Sequence, residues 1–96
     1  MSATPTVELP LDAEDFLLHL VVEKGRSPLT ISAYRRDLRR YCGFLTGRGR
    51  TVHDADAQDV EDFQTSLRAS GLAPASTTRT LVAVRNLHRW LAAEEI

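Results

Sequence analysis

One cysteine, one lysine and no apolar run of membrane length distinguish this 96-residue chain first by what it lacks. Cys42 has no second thiol to pair with, which excludes an internal disulfide and fits a reducing compartment. His19, His53 and His88 are scattered rather than set at ligand spacing, so no metal site and no cofactor are expected. The longest apolar stretch, Phe16–Val22, is broken by His19 and falls far short of the ~20 residues that cross a bilayer. It is also not preceded by a basic leader or followed by a small-residue cleavage site. We therefore expect a cytoplasmic protein with no membrane partner. Period-2 alternation and clusters of β-branched residues are missing, which disfavours strands. A Ser/His/Asp set, a phosphate-binding glycine loop and paired carboxylates are missing too. No catalytic residue and no small-molecule substrate are expected.

What the chain does have is arginine, eleven against the single Lys24. The length suits one small domain with a single modest core, and the formal charge is only −1. That sum hides blocks of alternating sign. Residues 26–50 hold seven arginines and one acid, Asp37, whereas residues 51–70 hold five acids and one arginine. An anionic partner responds to the local field and not to the net sum. Arginine presents a rigid fork of donors that matches phosphate and the guanine edge.

Helical signals recur four times. Residues 1–9 read as a flexible, Thr- and Pro-containing lead-in. Asp12 is the expected cap of a first helix running to about Lys24 and stopped by Gly25. Its apolar residues occupy nearly every side, which predicts burial on more than one face or docking against a partner. Ser27 then caps a second helix with Pro28 at its first position, ending near Gly47. Asp56 and Asp59 open a third, with Val60, Phe63 and Leu67 as its apolar stripe and Gly71 as its stop. Pro74 opens the fourth, which carries Thr77, Leu81, Val84, His88 and Leu91 along one side. Ala75, Thr78, Arg79, Val82, Asn86 and Arg89 share another side. Short connections between the helices make a compact all-α bundle the natural architecture.

The second helix separates its duties by periodicity. At about 100° per residue, Ile31, Tyr34, Leu38, Tyr41, Cys42 and Leu45 share one arc. Ser32, Arg35, Arg36, Arg39, Arg40 and Gly43 share another, and Asp37 lies off both. Tyr34, Tyr41 and His88 fall on apolar sides and read as core. Trp90 lies off the main stripe, either packing against the first helix or facing a partner. Composition leaves three meanings open for the arginine stripe: a solvated face with Asp37 paired to Arg40, a DNA-binding face, or a docking face for a protein.

The stretch "SPLTISAYRRDLRRYCGFL" (residues 27–45) resembles the pattern S-x-x-T-[IL]-x-x-Y-x-x-D-L-x-x-[FY]-x-x-[FWL] of Xer-type tyrosine recombinases and related phage integrases. "DADAQDVEDFQTSLRASGLAPAST" resembles the family's third helix and following turn, and "STTRTLVAVRNLHRWL" the segment that closes the same domain. The resemblance covers about residues 10–96. It implies a four-helix, SAM-like orthogonal bundle, the core-binding domain that forms half of a clamp around double-stranded DNA at a recombination site. It also implies recombinase protomers as partners and chromosome dimer resolution or integration as the setting. The DNA-facing residues it implies are Thr30, Ser32, Arg35, Arg36, Arg39 and Arg40 on the second helix. On the fourth they are Ser76, Thr77, Arg79, Thr80 and Arg85. Family members often carry two successive basic residues where this chain has Arg79 and Thr80. The family's nucleophilic tyrosine belongs to a second domain, so this chain is not itself expected to be an enzyme. A SAM-type protein-interaction module and a helix-turn-helix regulator are the alternatives.

Overall fold

A computed structural model describes residues 9–94. Four helices follow in chain order: α1 (Leu11–Val22), α2 (Pro28–Gly47), α3 (Ala57–Ala69) and α4 (Pro74–Ala93). No strand occurs among the described residues. The local signals account for most of the boundaries. Ser27 accepts from the Thr30 amide at 3.2 Å with Pro28 at the first position of α2. Asp56 and Asp59 form a reciprocal capping box at the start of α3, at 2.9 and 3.0 Å. α2 and α3 close in the same way, with Gly49 (φ +71°) and Gly71 (φ +80°) in the left-handed conformation. In each, two amides turn back to the last carbonyls, as Arg50 does to Leu45 and Leu72 to Leu67.

α1 departs from expectation at both ends. It begins at Leu11 behind Pro10, one residue before the expected cap Asp12, and it stops at Val22 rather than Lys24. Pro10 holds extended backbone while its carbonyl accepts from Ala13 and Glu14, which starts the helix without a side-chain cap. Asp12 is thereby freed to meet His53 of the α2–α3 connection at 2.6 Å. The expected lead-in over residues 1–9 lies outside the described residues except for Leu9, which joins the core instead of trailing.

α2 and α4 share the most extensive contact, and α1 and α3 pack against both. α4 is buried more widely than its apolar stripe implies, because Thr80 and Ala83 are fully enclosed beside Leu81, Val84 and Leu87. Small side chains there let α2 approach closely. Tyr41 is a core residue, packed at a tilt against Phe63 with ring centres 5.0 Å apart and hydrogen-bonded through its hydroxyl to His88 Nε2 at 2.6 Å. Burial pushes the Tyr41 phenol well above, and the His88 imidazole below, their ordinary values. Trp90 packs on Phe16 of α1, with ring centres 5.9 Å apart. α1 buries Ala13, Phe16, Leu17 and Leu20 but leaves Leu11, Leu18, Val21 and Val22 exposed. Of the two expectations for α1, burial on more than one face is not met within this chain: its second apolar face is open, which leaves docking against a partner. None of the described helices is long and apolar enough to cross a membrane.

Candidate nucleic-acid interface

The cationic face of α2 follows from the helical period. With Leu38, Tyr41, Cys42 and Leu45 turned into the core, the residues about half a turn away must face outward. Arg36, Arg39 and Arg40 are all exposed, and none has a carboxylate partner among the described residues. Ser32, one turn earlier, is exposed as well. Three other arginines of this basic segment, Arg35, Arg48 and Arg50, are less available. Arg35 sits at the edge facing α1 and pairs with Glu14. Arg48 lies over the Phe44 ring at 5.1 Å and donates to Asp62 at 2.8 Å. Arg50 approaches the buried Asp59 at 3.7 Å and donates to the Asp54 carbonyl at 3.0 Å. The loop arginines therefore neutralise the acids of α3 and hold the connection to it. On α2 the positive field that remains free is concentrated on Arg36, Arg39 and Arg40.

Asp37 behaves differently from either arc. It is fully buried, and it pairs not with Arg40 but across the bundle with α4. Arg79 donates to it through Nε and Nη2, each at 2.8 Å, and the Thr80 hydroxyl stands 2.9 Å away. This two-pronged, charge-assisted contact fixes the angle and distance between α2 and α4. It also holds the Arg79 guanidinium above its ordinary value, chiefly through the hydrogen bonds it donates to Asp37. The Arg79 side chain keeps 38% of its exposure, so its remaining donor edge is open to solvent while the inner edge is pinned.

The eleven residues implied by the resemblance separate into groups. Ser32, Arg36, Arg39, Arg40 and Arg79 come together on or beside the outer side of the α2–α4 pair. Thr30 is half-buried, with its hydroxyl engaged by the Ser27 hydroxyl at 3.0 Å. Thr77 and Thr80 are buried, and the Thr80 hydroxyl is held by Asp37 and the Ser76 carbonyl, so neither threonine presents itself to a ligand. Ser76 is half-buried above them. Arg85 is exposed but lines a cleft with Asp56, Val60 and His88, beside the start of α3. The residue missed from the sequence is Asp37. The available signal was an acid alone amid four arginines and off both arcs of its helix. No group of metal-ligating side chains occurs among the described residues.

A family model described as "Phage integrase, N-terminal SAM-like domain" matches residues 13–95. Among curated relatives, "Tyrosine recombinase XerD" of Mycobacterium tuberculosis is 42% identical over 94 residues, covering 90% of this chain and 30% of the relative. "Tyrosine recombinase XerD" of Caulobacter vibrioides is 39% identical, covering 85% of this chain and 27% of its own. "Tyrosine recombinase XerC" of Xanthomonas campestris pv. campestris is 37% identical, covering 91% and 28%. The chain thus spans less than a third of the length of these relatives. No solved structure gives a significant match.

Proposed function

Because the chain belongs to the family of phage integrase N-terminal SAM-like domains, we propose that it binds double-stranded DNA as the N-terminal half-clamp of a tyrosine recombinase. The observation that carries this reading is the exposed Arg36–Arg39–Arg40 face, free of described carboxylates and set beside an α4 that Asp37 holds in place through Arg79. An unpaired arginine row on a rigid support suits phosphates, which position a protein on the duplex, while a few side chains such as Ser32 reach base edges. Strand cleavage and rejoining then belong to a separate domain of the parent protein. Its setting is site-specific recombination in the cytoplasm, chromosome dimer resolution by analogy with the Xer relatives.

The test is a titration of duplex DNA at two salt concentrations. Binding should weaken steeply with salt, because each neutralised phosphate contributes about −0.9 to the slope of log affinity against log salt. Arg36→Ala with Arg39→Ala should reduce that slope by about 2 and leave helicity intact. A salt-independent affinity, or a double variant that binds like the parent, rejects this face. The open apolar side of α1 (Leu11, Leu18, Val21 and Val22) favours a second, compatible role in contact between protomers on DNA. Light scattering on a two-site duplex tests that role, and independent single-chain occupancy would oppose it.

A further inference from the structure

A cleft of about 330 Å³ opens where the turn after α1 passes the C-terminal half of α4. Lys24 and Arg26 line it from the turn and Asn86 and Arg89 from α4, beside the half-buried rings of His19 and Trp90. No carboxylate is among its lining residues. The adjoining cleft shares those two rings but is lined by Asp15, Glu23 and Glu94, so the rings mark a boundary between surfaces of opposite sign. Lys24, Arg26 and Arg89 form no ion pair among the described residues. Arg89 is steered by a hydrogen bond from Nη1 to Asn86 Oδ1 at 3.1 Å, which leaves most of its donors unused. Three like charges around one concavity repel one another, and that repulsion is relieved when an anion enters.

The position of the cleft indicates which anion. Arg79, Asn86 and Arg89 fall within an arc of about 80° on α4 at the helical period. Arg79 and Arg89 are ten residues apart, roughly 15 Å along the axis, which is close to the ~12 Å width of the B-DNA major groove. We infer that this cleft is a second phosphate-binding site, extending the DNA contact from Arg79 along α4 to the turn after α1. The inference rests on the DNA-binding reading above and adds Lys24, Arg26 and Arg89 to it as phosphate ligands, with Asn86 as the residue that positions Arg89. The two ends of this α4 stripe then reach the two backbones that flank one major groove.

The experiment titrates a labelled mixed-sequence B-form duplex with the parent chain and with the variant Lys24→Gln, Arg26→Gln, Arg89→Gln across a salt series. Loss of three phosphate contacts should lower the salt slope by about 2 to 3 and weaken low-salt binding at least tenfold, with helicity unchanged. Arg68→Gln, on the exposed side of α3, controls for bulk charge and should leave the slope where it was. A triple variant with the parent's slope, alongside an Arg36→Ala, Arg39→Ala variant that loses slope, overturns the cleft and leaves the α2 face standing. An Arg68 variant that loses as much slope per charge also overturns the cleft, since the effect is then not local. A parent chain that binds no duplex rejects the DNA reading, and the cleft falls with it.

Discussion

Replacing Asp37 by asparagine removes one buried charge from the α2–α4 contact while keeping the side chain's volume. Asp37 is fully buried and faces Arg79 Nε and Nη2 at 2.8 Å each, with the Thr80 hydroxyl at 2.9 Å. An amide offers one acceptor atom in place of two, and its NH2 group points donor against donor at the guanidinium. Hydrogen bonds to charged groups contribute about 1.5–3 kcal/mol, and breaking an enclosed ion pair costs about 3–5 kcal/mol. Arg79 keeps 38% of its exposure and can rehydrate, which places the expected loss nearer 2–3 kcal/mol. For a domain of this size that corresponds to a fall in Tm of roughly 10–20 °C. Thermal melts followed by circular dichroism, with urea midpoints as a second measure, would read it. A double-mutant cycle of Asp37→Asn with Arg79→Met should show coupling of at least about 1 kcal/mol. A single variant within about 0.5 kcal/mol of the parent, or a cycle with no coupling, refutes the claim that this pair holds the two helices together.

Two further expectations concern the core and the caps. Burial depresses the His88 imidazole below its ordinary value of 6.5, so the unfolded chain takes up a proton that the folded one resists. Stability is then complete above that value and falls as pH drops below it; Tm measured down a pH series should decline less steeply in His88→Gln, and parallel curves would contradict the assignment. Asp56→Ala removes half of the α3 capping box and should lower the urea midpoint, while an unchanged midpoint would show that the box does not anchor α3.

The helices were legible because their starts and stops are local. Ser27 with Pro28, Asp56 with Asp59, and Gly71 each act within a few residues, so spacing alone reveals them. The core side of α2 was legible for the same reason, as was the seating of Tyr41 and His88 among apolar residues. The start of α1 was misplaced because Asp12 looks like a cap when its true partner, His53, lies in a distant connection. Thr77 and Thr80 are DNA-facing by the resemblance alone, whereas the helical period sets both towards the core side of α4, where they are buried. Small residues such as Thr80 and Ala83 record a close helix approach only once the neighbouring helix is in place.

Sequence by itself determined four helices, an outward row of arginines on the second, and the separation of that row from the core. Each of these depends on the period of one helix or on the chemistry of one turn. Tertiary structure alone decided which arginines remain free. Arg48 and Arg50 meet the acids of α3, Arg35 meets Glu14, and Arg79 meets Asp37, leaving Arg36, Arg39 and Arg40 as the exposed, unpaired arginines of α2. It also gathered Lys24, Arg26 and Arg89, far apart in the chain, around one cleft. The physical reason is that charge is paired through space: formal charge can be counted residue by residue, but a field depends on which opposite charges the fold brings within reach.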